Sequence, residues 1–175
     1  FGGGCGAYEM RGGSYYTPNR AYVGGVPTNV QSYARAGSVG LLKVTGGAFT
    51  VTNNTLMVGG NGAGSLTIGA SGVCFAKDIV LTNNTQSTLR FELGAAGLGS
   101  LKASGALVIS AGAKLEVESR DYQGSAVWIK LADCATRSGG FDPANITVIG
   151  PGVVKQDRDE DLWLYIPRGL LIGIL

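Results

Sequence analysis

Between Phe49 and Val117 one short phrase recurs: an apolar residue, any residue, another apolar residue, then a step of Gly, Asn, Ser or Ala. It is spelled Phe49-Thr50-Val51, Leu56-Met57-Val58, Leu66-Thr67-Ile68, Leu101-Lys102-Ala103, Leu107-Val108-Ile109 and Leu115-Glu116-Val117. An alternation of period two, cut every few residues by turn formers, reads as short β-strands stacked through tight corners. The outer members of each triplet, such as Leu66 and Ile68, are expected in the core; Thr50, Met57, Thr67, Val108 and Glu116 are expected to face out. Leu42 and Val44 flank Lys43 as a first strand, and Ser87 to Leu93 alternates as a half-exposed one. The fold class expected is all-β: a β-solenoid, or a β-sandwich-like stack of short strands, with Gly/Asn turns and a C-terminal β-hairpin cap.

Phe49 to Leu66 and Leu56 to Val73 are each seventeen residues apart, which sets an expected rung length of that size. Thr52-Asn53-Asn54-Thr55 returns as Thr82-Asn83-Asn84-Thr85, each time after an apolar strand. The repetition predicts two equivalent corners whose Asn side chains bond to nearby backbone.

Four segments follow. Residues 1–40 form a Gly/Tyr-rich N-terminal arm with weak apolar periodicity and five of the seven tyrosines. Residues 41–120 are the repeat region. Residues 121–166 hold closing strands: one around Trp128, a turn-rich passage from Cys134 to Asn145, a strand at Ile146 to Ile149, and a hairpin from Val153 to Ile166. Residues 167–175 end in a strand apolar on both faces. Asp157, Asp159 and Asp161 alternate like the start of a calcium loop, but Leu162 stands where such a loop needs Gly, so the stretch is read as a solvated hairpin turn.

Thirty glycines against five prolines in 175 residues, with few charges, fit ordered β-structure with many tight turns. A net charge of +2 without a dense Lys/Arg run gives no footprint for nucleic acid. The apolar terminus is too short to span a bilayer. The chain has no His, the commonest general base and transition-metal ligand. The Gly-rich stretch Gly59 to Gly64 lacks the Lys-Ser/Thr of a phosphate loop, and Ser104 near Lys102 is a coincidence of composition. No catalytic, cofactor or metal residues are assigned, and the chain is expected not to be an enzyme.

Cys5, Cys74 and Cys134 show no CxxC spacing. In an exported chain Cys74 and Cys134 would pair inside the fold, leaving Cys5 in the Gly-rich start as a thiol that bridges to a neighbour; the alternative is three reduced cysteines, buried as small apolar side chains. The chain starts with Phe and shows no leader, which reads as a processed or excerpted start.

The words Val58 to Ile68 ("VGGNGAGSLTI"), Thr85 to Leu93, Leu107 to Glu118 ("LVISAGAKLEVE") and Leu131 to Phe141 resemble the C-terminal region of bacterial surface proteins built from autotransporter-associated β-strand repeats. The resemblance runs from Gly59 to Ile166 and implies an exported, solenoid-like, passenger-type module. It brings no catalytic residues, and no membrane barrel follows.

The ends then carry the functional expectation, because stacked rungs leave open backbone groups there that must be capped or paired. Leu170, Leu171, Ile172, Ile174 and Leu175 form the candidate inserting strand, which either folds back into its own domain or completes a neighbour's sheet. Tyr15, Tyr16 and Tyr22 are candidate contact residues, in an arm that lies over its own domain or against another molecule. The expected product is a secreted or cell-surface structural subunit, with copies of itself as partner in a head-to-tail homopolymer joined by strand addition. The alternative is a monomeric adhesion or carbohydrate-binding module of a larger surface protein, taking surface glycans on the tyrosines or on Trp128 and Trp163.

Overall fold

The computed structural model describes residues 5–25, 37–82 and 86–167. The chain is a β-solenoid of about four turns, and among the described residues the one helical element is a 3-10 turn at Pro143–Asn145. Its strands are β1 (Cys5–Thr17), β2 (Ala21–Val23), β3 (Val39–Val58), β4 (Ala63–Leu81), β5 (Ser87–Glu92), β6 (Ser100–Ile109), β7 (Lys114–Glu118), β8 (Trp128–Gly139), β9 (Ile146–Ile149), β10 (Val153–Lys155) and β11 (Leu162–Tyr165).

Three parallel faces run the length of the coil. The first stacks the start of β1, then β3, β4, β5, β7 and β9; the second stacks the end of β1, the middle of β3 and β4, then β6 and β8; the third stacks β2, the ends of β3, β4 and β6, and the end of β8. The triplets become vertical ladders of like side chains. Leu42, Leu66, Leu89 and Leu115 stand in register on the first face, beside Val44, Ile68, Phe91 and Val117. Leu56, Ile79 and Leu107 do so on the third. All are buried, as the period-two reading predicts. At about 1.5–3 kcal/mol per large apolar side chain, these ladders are the main favourable term of the fold. Among the outward residues Thr67 departs from expectation, since it is buried between its coil neighbours Lys43 and Arg90.

Corner glycines make the stacking close. A Cβ on Gly46, Gly72 or Gly99 would collide with a carbonyl oxygen of the preceding coil, those of Arg11, Val44 and Gly72 respectively. Ion pairs tie the first face across coils: Lys43 Nζ reaches Glu92 at 2.7 Å, and Arg90 bridges Glu92 and Glu116, each at 3.0 Å.

Four expectations are corrected. The rung is about 24 residues, not seventeen: Phe49 neighbours Cys74 and Leu56 neighbours Ile79. The seventeen-residue interval had compared one face with the next. The two Thr-Asn-Asn-Thr words begin at different corners, and Asn83, Asn84 and Thr85 of the second lie outside the described residues. Thr52 to Thr55 turns the second face into the third, with Asn53 left-handed at φ 55° and Asn54 Nδ2 donating to Pro18 O; Thr82 follows the third face, its N–H donating to Val58 O. The arm is no arm over its described part, because β1 and β2 form the first coil, in parallel register with β3. Finally, Cys134 to Gly139, read as turn-rich, is the second half of β8.

Candidate functional site

The solenoid has two unlike ends. At the C-terminal end the hairpin of β10 and β11 folds across the last coil, with β11 antiparallel to the first half of β8. The apolar ladder of the third face stops there: Leu107 is followed in register by Arg137, and Ile109 by Gly139. Leu162, Leu164 and Phe141 cover the exposed core, all of them buried.

The acidic turn fixes this cap in place. Asp161, almost wholly buried, accepts the Cys134 backbone N–H at 2.8 Å and the Lys130 ammonium at 2.6 Å. Arg137 Nη1 donates to Asp161 O at 2.8 Å and Nη2 to Gln156 O, while the Gln156 amide makes two bonds to the Phe141 backbone. Bonding to Asp161 raises the Lys130 pKa, and Lys102, with help from Lys130, lowers that of Asp133. Asp159, at φ 54°, accepts from Trp163 Nε1 at 3.0 Å, which lowers its pKa. The turn is a hairpin turn, as the sequence predicts. What the sequence left unread is that it clamps the cap, a role signalled only by the fact that a buried Asp needs partners.

Beside the hairpin, β9 pairs on one side only, with β7, among the described residues. A groove of about 650 Å³ lies between β9 and β10, lined by Ile146, Val148, Val153 and Val154.

The N-terminal end is uncovered among the described residues. Among the described residues, β1 and β2 have β3 as their only strand neighbour, so thirteen residues of β1 present a free backbone edge. The inward ladder positions of this first coil are Tyr8, Met10, Tyr15, Thr17, Ala21 and Val23. Met10 and Val23 are buried, but Tyr8 is 49% and Tyr15 43% exposed. The Tyr15 ring stacks on Phe49 at 4.9 Å and 10°, with Tyr8 at 6.1 Å from Tyr15. They wall a cavity of about 570 Å³ that also takes in Tyr22, Arg20, Val39 and Leu41. This end therefore combines an aromatic-lined cavity with a backbone edge left unpaired among the described residues.

Of the candidate contact residues, Tyr15 and Tyr22 line this cavity, whereas Tyr16 points outward from β1, 64% exposed. Tyr8 and Phe49 complete the wall. Tyr8-Glu9-Met10 and Ala21-Tyr22-Val23 are themselves apolar-x-apolar triplets, a signal of the first coil that the reading as an arm missed.

Cys5 is exposed at the start of β1, within the open end. The Cys74–Cys134 bridge does not form. Both thiols are free and buried; they belong to β4 and β8 with β6 between, about 10 Å apart at the usual strand spacing and beyond disulfide reach. Burial pushes the Cys74 thiol up to about 12 and Cys134, with Asp161 adding to the effect, up to about 11. The candidate inserting strand, Leu170, Leu171, Ile172, Ile174 and Leu175, lies outside the described residues. Among those described, no three His, Cys, Asp or Glu side chains gather as a metal site. No helix among them is long and apolar enough to cross a membrane.

No protein-family model, curated protein or solved structure matches the chain.

Proposed function

We propose that this chain is a structural subunit of a self-assembling extracellular filament or surface coat, in which strand addition joins copies head to tail. The observation that carries the reading is the difference between its ends. One is covered by a hairpin clamped through Asp161 and Arg137; the other leaves the thirteen-residue edge of β1 and the Tyr8–Tyr15–Phe49 wall open among the described residues. Natural sheets protect long free edges, and an edge kept open beside apolar rings fits a receiving surface.

The donor in this reading is Leu170 to Leu175 of another copy. Ile166 donates its N–H to Val127 O beside β8, about five strand spacings or 24 Å from the free edge of β1. Leu170 follows Ile166 by four residues, at most about 14 Å of extended chain. The start of a strand at 170–175 therefore falls about 10 Å short of the β1 edge of its own chain, which favours pairing along that edge on a neighbouring molecule, and contacts of that heterologous kind generate open fibres. The resemblance to autotransporter-associated repeats supports the surface location.

Electron microscopy and sedimentation of the purified chain, with and without residues 168–175, test the reading. Fibres or large oligomers that vanish on deletion support it. If the deletion leaves assembly intact but lowers unfolding stability, the segment closes its own β9–β10 groove and the strand-addition reading fails. The adhesion alternative rests on the tyrosines or on Trp128 and Trp163, and the face both indoles share is occupied by Arg158.

A further inference from the structure

The side-chain cluster on the outer face of the cap has no part in assembly as proposed. Trp128 on β8 pairs with Tyr165 on β11, and Trp163 with Lys130, so three rings stand on one surface of the antiparallel pair. The Trp128 and Tyr165 centroids are 4.8 Å apart, and Trp128 is 39% exposed. Over this surface lies Arg158 from the hairpin turn, its guanidinium carbon 4.5 Å from the Trp128 ring and 4.6 Å from that of Trp163. Both distances are well inside the ~6 Å over which an indole attracts a cation.

We propose that the Trp128–Trp163 pair is a binding site for an organic monocation, a guanidinium or a methylated ammonium, and that Arg158 is its displaceable internal occupant. Three observations carry this. First, the rings are placed without Arg158: strand pairing sets both indoles, Tyr165 packs on Trp128, and Trp163 Nε1 is held by Asp159 at 3.0 Å. Removing the arginine leaves the platform built. Second, Arg158 sits on the exposed turn and makes no hydrogen bond or ion pair among the described residues; the two rings are its close contacts, with Asp159 attracting it electrostatically. Lys130 is the opposite case. It lies 5.1 Å from the Trp163 ring but is fixed by Asp161 and Asp133, and it stays when a ligand enters. Third, Asp159 Oδ1 holds Trp163 Nε1 at 3.0 Å, so an uncovered site has a carboxylate at its edge and selects a cation over an anionic sugar.

One exposed and one half-buried indole give a free cation millimolar affinity, and displacing Arg158 costs the wild type about five- to tenfold of it. The chain has two tryptophans, both in the site, so their fluorescence reports occupancy directly. Wild type, Arg158→Ala and Arg158→Ala/Trp128→Ala are titrated with tetramethylammonium chloride and, separately, N-methylguanidinium chloride, each against sodium chloride at matched ionic strength. The proposal expects saturable quenching in Arg158→Ala at about five- to tenfold lower concentration than in wild type, lost in the double variant; the better of the two salts identifies the cation class. A response in Arg158→Ala no different from sodium chloride, or unchanged by loss of Trp128, overturns it. Far-UV circular dichroism checks folding, and Trp128→Phe, which keeps a ring of weaker quadrupole, serves if Trp128→Ala unfolds: binding must then weaken, and unchanged binding again overturns the proposal.

Discussion

Replacing Asp161 by Ala should loosen the cap more than any other single surface-distal change of comparable size. The carboxylate accepts a backbone N–H from Cys134 and an ammonium from Lys130. In Asp161→Ala the Cys134 N–H is left in a buried site without a partner, which costs about 1–3 kcal/mol. The lost pairing with Lys130 adds only about 0.5–1 kcal/mol, because that side chain is 40% exposed and screened by solvent. The expected total is about 2–4 kcal/mol. Asp161→Asn keeps an oxygen for Cys134 and loses only the charge, so it should cost about 1 kcal/mol. Urea unfolding followed in parallel by tryptophan fluorescence and far-UV circular dichroism reads both quantities. Trp128 and Trp163 belong to the cap while most strand belongs to the coils, so in Asp161→Ala the fluorescence transition should move to lower urea ahead of the dichroism. A loss under about 0.5 kcal/mol in Asp161→Ala, or equal losses in the Ala and Asn variants, refutes the argument that an orphaned N–H dominates.

Thiol titration of the native protein should count one fast-reacting cysteine, Cys5, with Cys74 and Cys134 reacting only on unfolding; two or three fast thiols would contradict the burial. On the alkaline side, the Cys74 pKa is raised to about 12, so its contribution is complete below the ordinary thiol range near 9 and is lost as pH rises toward 12, at up to about 1.4 kcal/mol per unit. Unfolding measured at pH 8 to 10.5 should show that slope, and should not if the thiol is accessible. On the acid side, Asp133, Glu118 and Asp159 have lowered pKa values, each held mainly by a side-chain hydrogen bond, from Lys102, Arg120 and Trp163. Their stabilisation is present above the ordinary carboxylate range and is lost as pH falls through it, so the urea midpoint should be flat from pH 5 to 8 and decline below about pH 4. Glu92→Gln, which breaks its pairs with Lys43 and Arg90, should cost about 0.5–1 kcal/mol at low salt and less at 1 M salt, by the same urea assay.

The core was legible because it is periodic. Leu66 and Ile68, or Leu115 and Val117, announce their burial by alternation alone, and the hairpin from Val153 to Tyr165 by two strands around a polar turn. Rung length was hidden because corners differ between coils. Three residues, Thr52 to Asn54, turn the second face into the third in β3, where Lys77 alone does it in β4, so no constant interval joins equivalent positions. The first coil was obscured by composition: glycines dilute β1, and tyrosine at inward positions masks the period that Leu or Val would display. Buried polar clamps such as Asp161, and a cation laid over Trp128 and Trp163, depend on strands distant in sequence and leave no local trace. The reading of Cys74 with Cys134 failed for the related reason that sequence does not reveal how many coils separate two thiols.

Self-assembly through the open first coil is tested most directly by sedimentation velocity on the wild type and on Tyr8→Lys, across concentrations from micromolar to near-millimolar. Tyr8 is half exposed at an inward position of the edge coil, in register with Leu42, so a lysine there tops the first ladder with a charge that an added strand would have to bury. The account predicts concentration-dependent growth of the wild type beyond dimer and a monomeric variant of unchanged dichroism. A wild type that stays monomeric throughout, or a Tyr8→Lys variant that assembles equally well, contradicts it.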